Sequence, residues 1–462
     1  MEEKQNKYDE KYEEEYKAHL EKVYEALNGE KTDEFRENFL DMHPYDQSVF
    51  FVDQSQENRM KIYAYLSPDE LAEIMINIEI ENTPSYFTEM NPRQGAMVLS
   101  EMPADDAVDI LNNMHKEEVV SFLTMMNKEA ADEIKKLLHY EEKTAGSIMT
   151  TEFVAIYKTK TTVEAMQQLK EEAPGAETIY YLYVLDEDKR IVGVLSLRDL
   201  IVADNHVKIE EIMSEKVVKV SVAKDQEEIA QMFRDYDFLA LPVVDFQDHL
   251  LGIITVDDIL DVMEEEASED FSQLAGISEE VKPNDSAFDA AKKRLPWLII
   301  LLFLGMFTAS LIGQFEETLN QVAVLAIFIP LIGGMAGNTG TQALAVAIRG
   351  LSNGEYGNQG KMRLIVRETT TGLITGVVCG IVIAVVIYFW KADIYLGIIV
   401  GVSIMVSLIV ATLSGSFVPI LMERLNIDPA VASGPFITTI NDIISILIYF
   451  GMATTFMSYL TS

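Results

Sequence analysis

Five long apolar stretches follow one another between Leu295 and Leu460, and they constrain the fold of this 462-residue chain more than any other feature. They run Leu295–Gly313, Val322–Ile348, Thr369–Trp390, Ile394–Met422 and Ala430–Leu460. Each is near or above the ~20 residues a helix needs to cross hydrocarbon. Five such runs in succession do not fit the buried helices of a soluble protein. They predict a five-helix transmembrane domain over 295–462, with membrane lipid as its surroundings. The connecting loops orient it. Lys292, Lys293, Arg294, Arg349, Lys361, Arg363, Arg367 and Arg424 fall on one side, and Lys391 alone falls on the other. Basic loops mark the cytoplasmic face. The reading is a multi-pass plasma-membrane protein with a cytoplasmic N-terminal half and an extracellular C-terminus. The opening run MEEKQNKYDEKYEEEY lacks an apolar core, so no secretory signal is expected.

Inside the spans, small residues predict where helices approach. Gly372, Gly376 and Gly380 recur every four positions in the third, and Gly397 and Gly401 do so in the fourth. The second span contains Gly333, Gly334, Gly337, Asn338, Gly340 and Gln342, a mixture that predicts a loosened helix whose carbonyls line a cavity. The fifth span holds one charge, Asp442, eight residues after Gly434 and so about 12 Å along the helix. No span supplies a basic partner for it. An intramembrane carboxylate marks an ion or proton path. Two copies about a twofold axis suit Mg²⁺, a hard cation often held by one or two carboxylates with its waters retained. Thr438, one turn earlier, and Asn338 are placed to bond such waters.

The charge is unevenly divided. Of 36 basic and 74 acidic residues, six and eight lie in Leu295–Ser462, leaving 30 and 66 in the first 294 residues. That acidic half excludes nucleic acid as a partner and favours divalent cations. The single cysteine, Cys379, excludes a disulfide framework and a Cys-based zinc site. Between Leu66 and Leu138 an apolar residue returns every twelve positions (Leu66, Ile78, Met90, Met102, Met114, Met126, Leu138), often followed by acidic helix starts such as Ser67-Pro68-Asp69-Glu70 or Pro103-Ala104-Asp105-Asp106. This predicts an α-helical, superhelical N-terminal domain of short stacked helices over 1–140.

Residues 147 to 264 read as one unit written twice. Ser147-Ile148-Met149-Thr150 recurs as Glu211-Ile212-Met213-Ser214, and Asp186 to Gly193 has the same spacing as Asp245 to Gly252. Each copy continues into Ser196-x-x-Asp199 or Thr255-x-x-Asp258. The pattern of strand, turn, strand and helix resembles a tandem pair of α/β cystathionine-β-synthase (CBS) domains, here 141–205 and 206–264. By that resemblance the Ser/Thr-x-x-Asp element is a ribose contact of adenine-nucleotide-binding members.

A helical acidic domain, a CBS pair and five spans together resemble the MgtE family of Mg²⁺ transporters. The strings DYDFLALPVVD, GIITVDDILDVMEEEASED, GNTGTQ and DPAVASGPFITTIND carry that likeness. The resemblance implies a homodimer with the ion path on its twofold axis, lined by the second and fifth spans, and places the selectivity aspartate at Asp442. Thr438 stands where the family commonly has Ala, and Gly434 where some relatives have Asn. It further implies gating by cytosolic Mg²⁺, with a plug helix over 265–294. The implied regulatory ligands are Asp225, Glu227, Asp258, Glu269 and Asp270. ATP, bound by some members, would contact residues near Tyr181, Phe238, Pro242 and Asp261.

Other classes fit less well. A metalloprotease needs His-Glu-x-x-His, which is absent, and an aspartyl intramembrane protease needs two membrane carboxylates, where Asp442 is alone. An anion channel would be opposed by that same charge. A proton- or Na⁺-coupled carrier remains compatible with one titratable Asp.

Overall fold

The computed structural model describes residues 16–80, 82–278, 281, 285–352, 358–425 and 427–460. It divides into two units, one ending at Val262 and one starting at Met263.

The first unit opens with short helices, five of which close on residues of the twelve-residue period. Leu66, Met90, Met102, Met126 and Leu138 are the C-caps of Gln56–Tyr65, Thr83–Glu89, Pro92–Glu101, Lys116–Met125 and Lys128–Leu137. All but Leu138 of these are buried, and Leu138 packs against the same core. The helices start as abruptly as they end. Ser67 and Glu70 form a capping box before Pro68–Ile76, and Asn91 and Asn127 cap the next turns by accepting from backbone amides. Such caps satisfy amide groups that a helix leaves orphaned at its start. Arg36–Glu70 and Arg59–Glu89, each bidentate, tie neighbouring repeats together.

The duplicated region then gives two three-stranded sheets of the same build. In the first, Phe153–Tyr157 runs parallel to Thr178–Leu185, which pairs antiparallel with Ile191–Ser196. In the second, Val220–Ser221, Ala240–Val244 and Leu250–Thr255 repeat that order. The recurring Ile-Met motif has a structural explanation. Thr150 bridges to Ile253 of the second sheet while Ser214 bridges to Val194 of the first. Each copy thus lends its leading segment to the other, and a Cβ at Gly252 or Gly193 would collide with Met149 or Met213.

The second unit contains helices Ala287–Gly313, Ile329–Ser352, Asn358–Lys391, Ile394–Arg424 and Gly434–Thr455, all long and apolar enough to span a membrane. In chain order these are the first to fifth spans. The first begins eight residues before its apolar run, because Ser286 caps it by accepting from Asp289 and the charged turn Lys292–Arg294 stays helical. The segment expected to be a single plug helix over 265–294 is therefore two elements. Its front half belongs to Val256–Leu274, which continues from the second sheet. Gly276, at φ +75°, ends that helix, and the Ile277 amide donates back to the Ser272 carbonyl.

The second span is a continuous α-helix, not the loosened one its glycines suggest. Three of its glycines are consumed by packing, while a Cβ at Gly334 would meet nothing within 4 Å. A Cβ at Gly333, Gly337 or Gly340 would meet Asp442, Thr438 or Asn441 of the fifth span. The third and fourth spans meet as their glycines predict, with Gly380 and Gly401 backbone to backbone.

Candidate ion path and acidic sites

Small residues on the second span and polar ones on the fifth meet in a row. Gly434, Thr438 and Asp442 lie one turn apart and face Thr341, Gly337 and Gly333. This i±4 ridge against an i±4 ridge needs glycine, because a Cβ at Gly337 would stand 2.6 Å from Thr438 Cγ2 and one at Gly333 2.9 Å from Asp442 Oδ1. Thr438 and Thr341 hydroxyls pair at 3.3 Å, and Thr341 also donates to the Gly337 carbonyl at 3.1 Å. At the other end Tyr449 donates to the Leu325 carbonyl at 3.0 Å, fixing the register of the fifth span. Asp442 is half-buried, and Thr438 lies on its face of the helix. Asn338 is exposed and sits on another face of the second span, so a single chain does not bring it to the other two. Sequence reasoning missed Asn441, which is fully buried beside Asp442 with neither amide atom hydrogen-bonded among the described residues. An amide next to the one carboxylate of the fifth span was its signal.

The expected regulatory acids fall in three places. Asp225 is the N-cap of Gln226–Tyr236 and accepts from the Glu227 and Glu228 amides, which puts Glu227 in the first turn beside it. Asp258 accepts from the Thr255 hydroxyl at 2.6 Å, just as Asp199 accepts from Ser196 at 2.7 Å. In both copies the Ser/Thr-x-x-Asp element is thus a hydroxyl–carboxylate pair at a helix start. Glu269 accepts from Gln273, and Asp270 accepts from the Ser352 hydroxyl at 2.7 Å, at the end of the second span. Burial pushes Asp270 up, against that hydrogen bond, and nearby Asp428 adds to the rise.

Asp258 does not stand alone. Asp105 and Asp106, in the first turn of Ala104–Asn112, lie close enough to feel its charge, together with Asp257 and Glu177. Burial first, then Asp258 and Asp109, push Asp106 up to about 7. Burial pushes Asp258 up to about 6 despite Thr255, and it holds Asp105 well above the usual carboxylate range. Asp105 Oδ1 has no hydrogen-bond partner among the described residues. The sequence shows Asp105-Asp106 as a helix start and nothing more, because a first-turn acid is also what any helix prefers. Among the described residues, no three His, Cys, Asp or Glu side chains form a ready-made metal site. A hard cation that keeps its waters requires only one or two carboxylates, and the orphaned Asp105 oxygen fits that chemistry.

Of the residues expected near a nucleotide, Tyr181 pairs with Ser196 across the first sheet and Pro242 with Ile253 across the second. Phe238 stacks on Tyr236, with ring centroids 5.2 Å apart and nearly parallel, and Asp261 is exposed on the following helix.

Comparison with known proteins covers most of the chain. A divalent cation transporter family model, MgtE, matches residues 329–452. The MgtE intracellular N domain matches 42–143, and the CBS domain matches 145–206 and 209–265. A magnesium transporter MgtE of Enterococcus faecalis is 51% identical over 95% of this chain and 97% of its own length. One of Bacillus subtilis is 39% identical over 93% and 96%. Among solved structures, the soluble part of a magnesium transporter covers 54% of this chain and 99% of its own, at 49% identity and TM-score 0.53. The cytosolic domain of the Mg²⁺ channel MgtE in complex with ATP covers 52% and 98%, at 39% identity and TM-score 0.50.

Proposed function

The chain belongs to the MgtE family of divalent cation transporters, and from that premise we propose that it is a homodimeric Mg²⁺ channel of the plasma membrane, closed by cytosolic Mg²⁺. The observation that carries the ion path is Asp442, the one charge in the fifth span, set on a ridge where the second span offers only small residues. Its carboxylate, with Thr438 one turn toward the helix start, bonds the inner waters of a hydrated cation. A partner copy supplies the second carboxylate and brings Asn338 of each chain toward the axis. The basic loops support an acidic N-terminal half in the cytoplasm and a C-terminus outside.

Closure follows from electrostatics. Asp105, Asp106 and Asp258 crowd together at a cost that a divalent cation removes, and Asp225, Glu227, Glu269 and Asp270 extend the acid along the chain. The helix Val256–Leu274 carries Asp258 in its first turn and Asp270 near its last. A ligand that prefers the compact arrangement shifts the population toward it, and several weak sites make the response steep. ATP, bound by the related cytosolic domain, has an aromatic platform here in Phe238 and Tyr236, with Tyr181, Pro242 and Asp261 as neighbouring contacts.

The test is Mg²⁺ flux into proteoliposomes with no other ion gradient, for wild type and Asp442→Ala, each verified as folded dimer. Flux that collapses only in the variant supports the path. Equal flux in both removes Asp442 from it. Flux that requires a proton or Na⁺ gradient replaces the channel with a coupled carrier.

A further inference from the structure

The fifth span presents two rows to its neighbours. One carries Gly434, Thr438 and Asp442; the other, about a third of a turn away, carries Ile437 and Asn441. The second row closes on Gly340, where an added Cβ would run into Asn441 Nδ2 and come within 3.2 Å of Asn441 Cγ and Ile437 Cγ2. Gly340 is clamped from behind as well. A Cβ on Gly415 of the fourth span would overlap the Gly340 carbonyl oxygen and stand 3.0 Å from Ala343 Cβ and the Leu344 nitrogen. Three helices therefore meet at one point, and the side chain that fills it is an amide.

That choice is costly. Asn441 is 1% exposed, and both its amide atoms lack a partner among the described residues. An apolar side chain would fill the space without burying unpaired polar atoms. What the amide offers is shape, a flat group that lies against a bare backbone. We propose that Asn441 is a positioning residue for permeation: wedged against Gly340, it fixes the rotation of the fifth span that aims Asp442 and Thr438 along the glycine ridge. Without the wedge, the fifth span settles toward Gly340 and the adjacent row turns with it. This rests on the reading of Asp442 as the path residue.

The experiment compares Mg²⁺ flux against Mg²⁺ concentration in proteoliposomes for full-length wild type, Asn441→Ala, Gly340→Ala, the pair Gly340→Ala/Asn441→Ala, and Asp442→Ala. Folded dimer and melting temperature are measured for each. Asn441→Ala is expected to raise the half-saturating Mg²⁺ about tenfold, the equivalent of one lost hydrogen bond, without loss of folded dimer. Gly340→Ala pushes the same contact from the other side and is expected to shift the same quantity. The pair, which moves the bulk from one helix to the other, is expected to recover most of the shift. Asn441→Ala with unchanged half-saturation, or with flux lost only in proportion to folded protein, overturns the proposal. If Asn441→Ala does not fold, the pair decides: recovery of fold and of half-saturation supports the wedge, and failure of either overturns it. Wild-type flux in Asp442→Ala removes the path reading and this inference with it. Lost flux there with normal Asn441→Ala removes this inference alone.

Discussion

At the scale of single residues, Asp105, Asp106 and Asp258 are set by burial more than by their pairings. Asp106 is pushed up to about 7 and Asp258 to about 6, against an ordinary aspartate value of 3.8. A carboxyl whose pKa is raised by folding binds more protons folded than unfolded. Stability then falls as pH rises between the two values. In the absence of divalent cations, the soluble region is expected to lose stability from about pH 4 to about pH 7, with most of the loss complete by neutrality. Millimolar Mg²⁺ takes the place of the protons and flattens the dependence. Calorimetry of the full chain across that range checks this, and Asp105→Asn/Asp106→Asn is expected to shrink the pH dependence to the share carried by Asp258 and to weaken the Mg²⁺ stabilisation. A second residue-level expectation concerns Gly337. Its added methyl would meet Thr438 Cγ2 at 2.6 Å, so Gly337→Ala is expected to cost roughly 1–3 kcal/mol of packing and most of the flux. Thr438→Ser in the same chain removes the obstructing methyl, keeps the hydroxyl, and is expected to restore flux, read in the same proteoliposome assay.

At the scale of elements, glycines separate into those that pack and those that do not. Gly380 and Gly401 oppose backbone to backbone, where no flexible side chain can give way, whereas nothing lies within 4 Å of a Cβ at Gly305 or Gly313 of the first span. Gly380→Ala is therefore expected to lower the melting temperature of the detergent-solubilised chain, by an overpacking cost of about 1–3 kcal/mol, while Gly305→Ala leaves it unchanged. The same contrast explains what could be read from sequence. The spans, the twelve-residue helical period and the duplicated α/β unit are periodic, and periodicity survives translation into structure because each repeat makes the same contacts. The glycines of the second span looked like an unwound segment because sequence shows the missing side chain but not the neighbour that occupies its place; here the neighbours are Asp442, Thr438 and Asn441. Asp442 stood out as a candidate because a charge among apolar residues is conspicuous. Asn441, Asp105 and Asp106 were not, since an amide beside an Asp, or two acids at a helix start, have ordinary local explanations until burial is known.

At the scale of the whole molecule, the acidic half and the spans face opposite physical problems. The first 294 residues carry 30 basic and 66 acidic side chains, so their compact arrangement is opposed by self-repulsion over distances that salt can screen. Divalent and monovalent cations should act differently on it. On the proposed gating, Mg²⁺ would bind between particular carboxylates, where Asp105, Asp106 and Asp258 are already desolvated, and its effect would saturate. K⁺ only thins the ionic atmosphere, so it eases the general repulsion without filling a site. Raising KCl from about 10 mM to about 150 mM shortens the Debye length from ~30 Å to ~8 Å, and it weakens the attraction of the region for Mg²⁺ as it does so. The Mg²⁺ concentration that half-closes the channel is therefore expected to rise severalfold across that range, with closure at saturating Mg²⁺ unchanged. Flux recorded with Mg²⁺ varied on the cytoplasmic side reads both quantities. A midpoint indifferent to KCl would mean that closure is set by a desolvated site alone, and the acidity of the remaining surface would then serve solubility rather than gating.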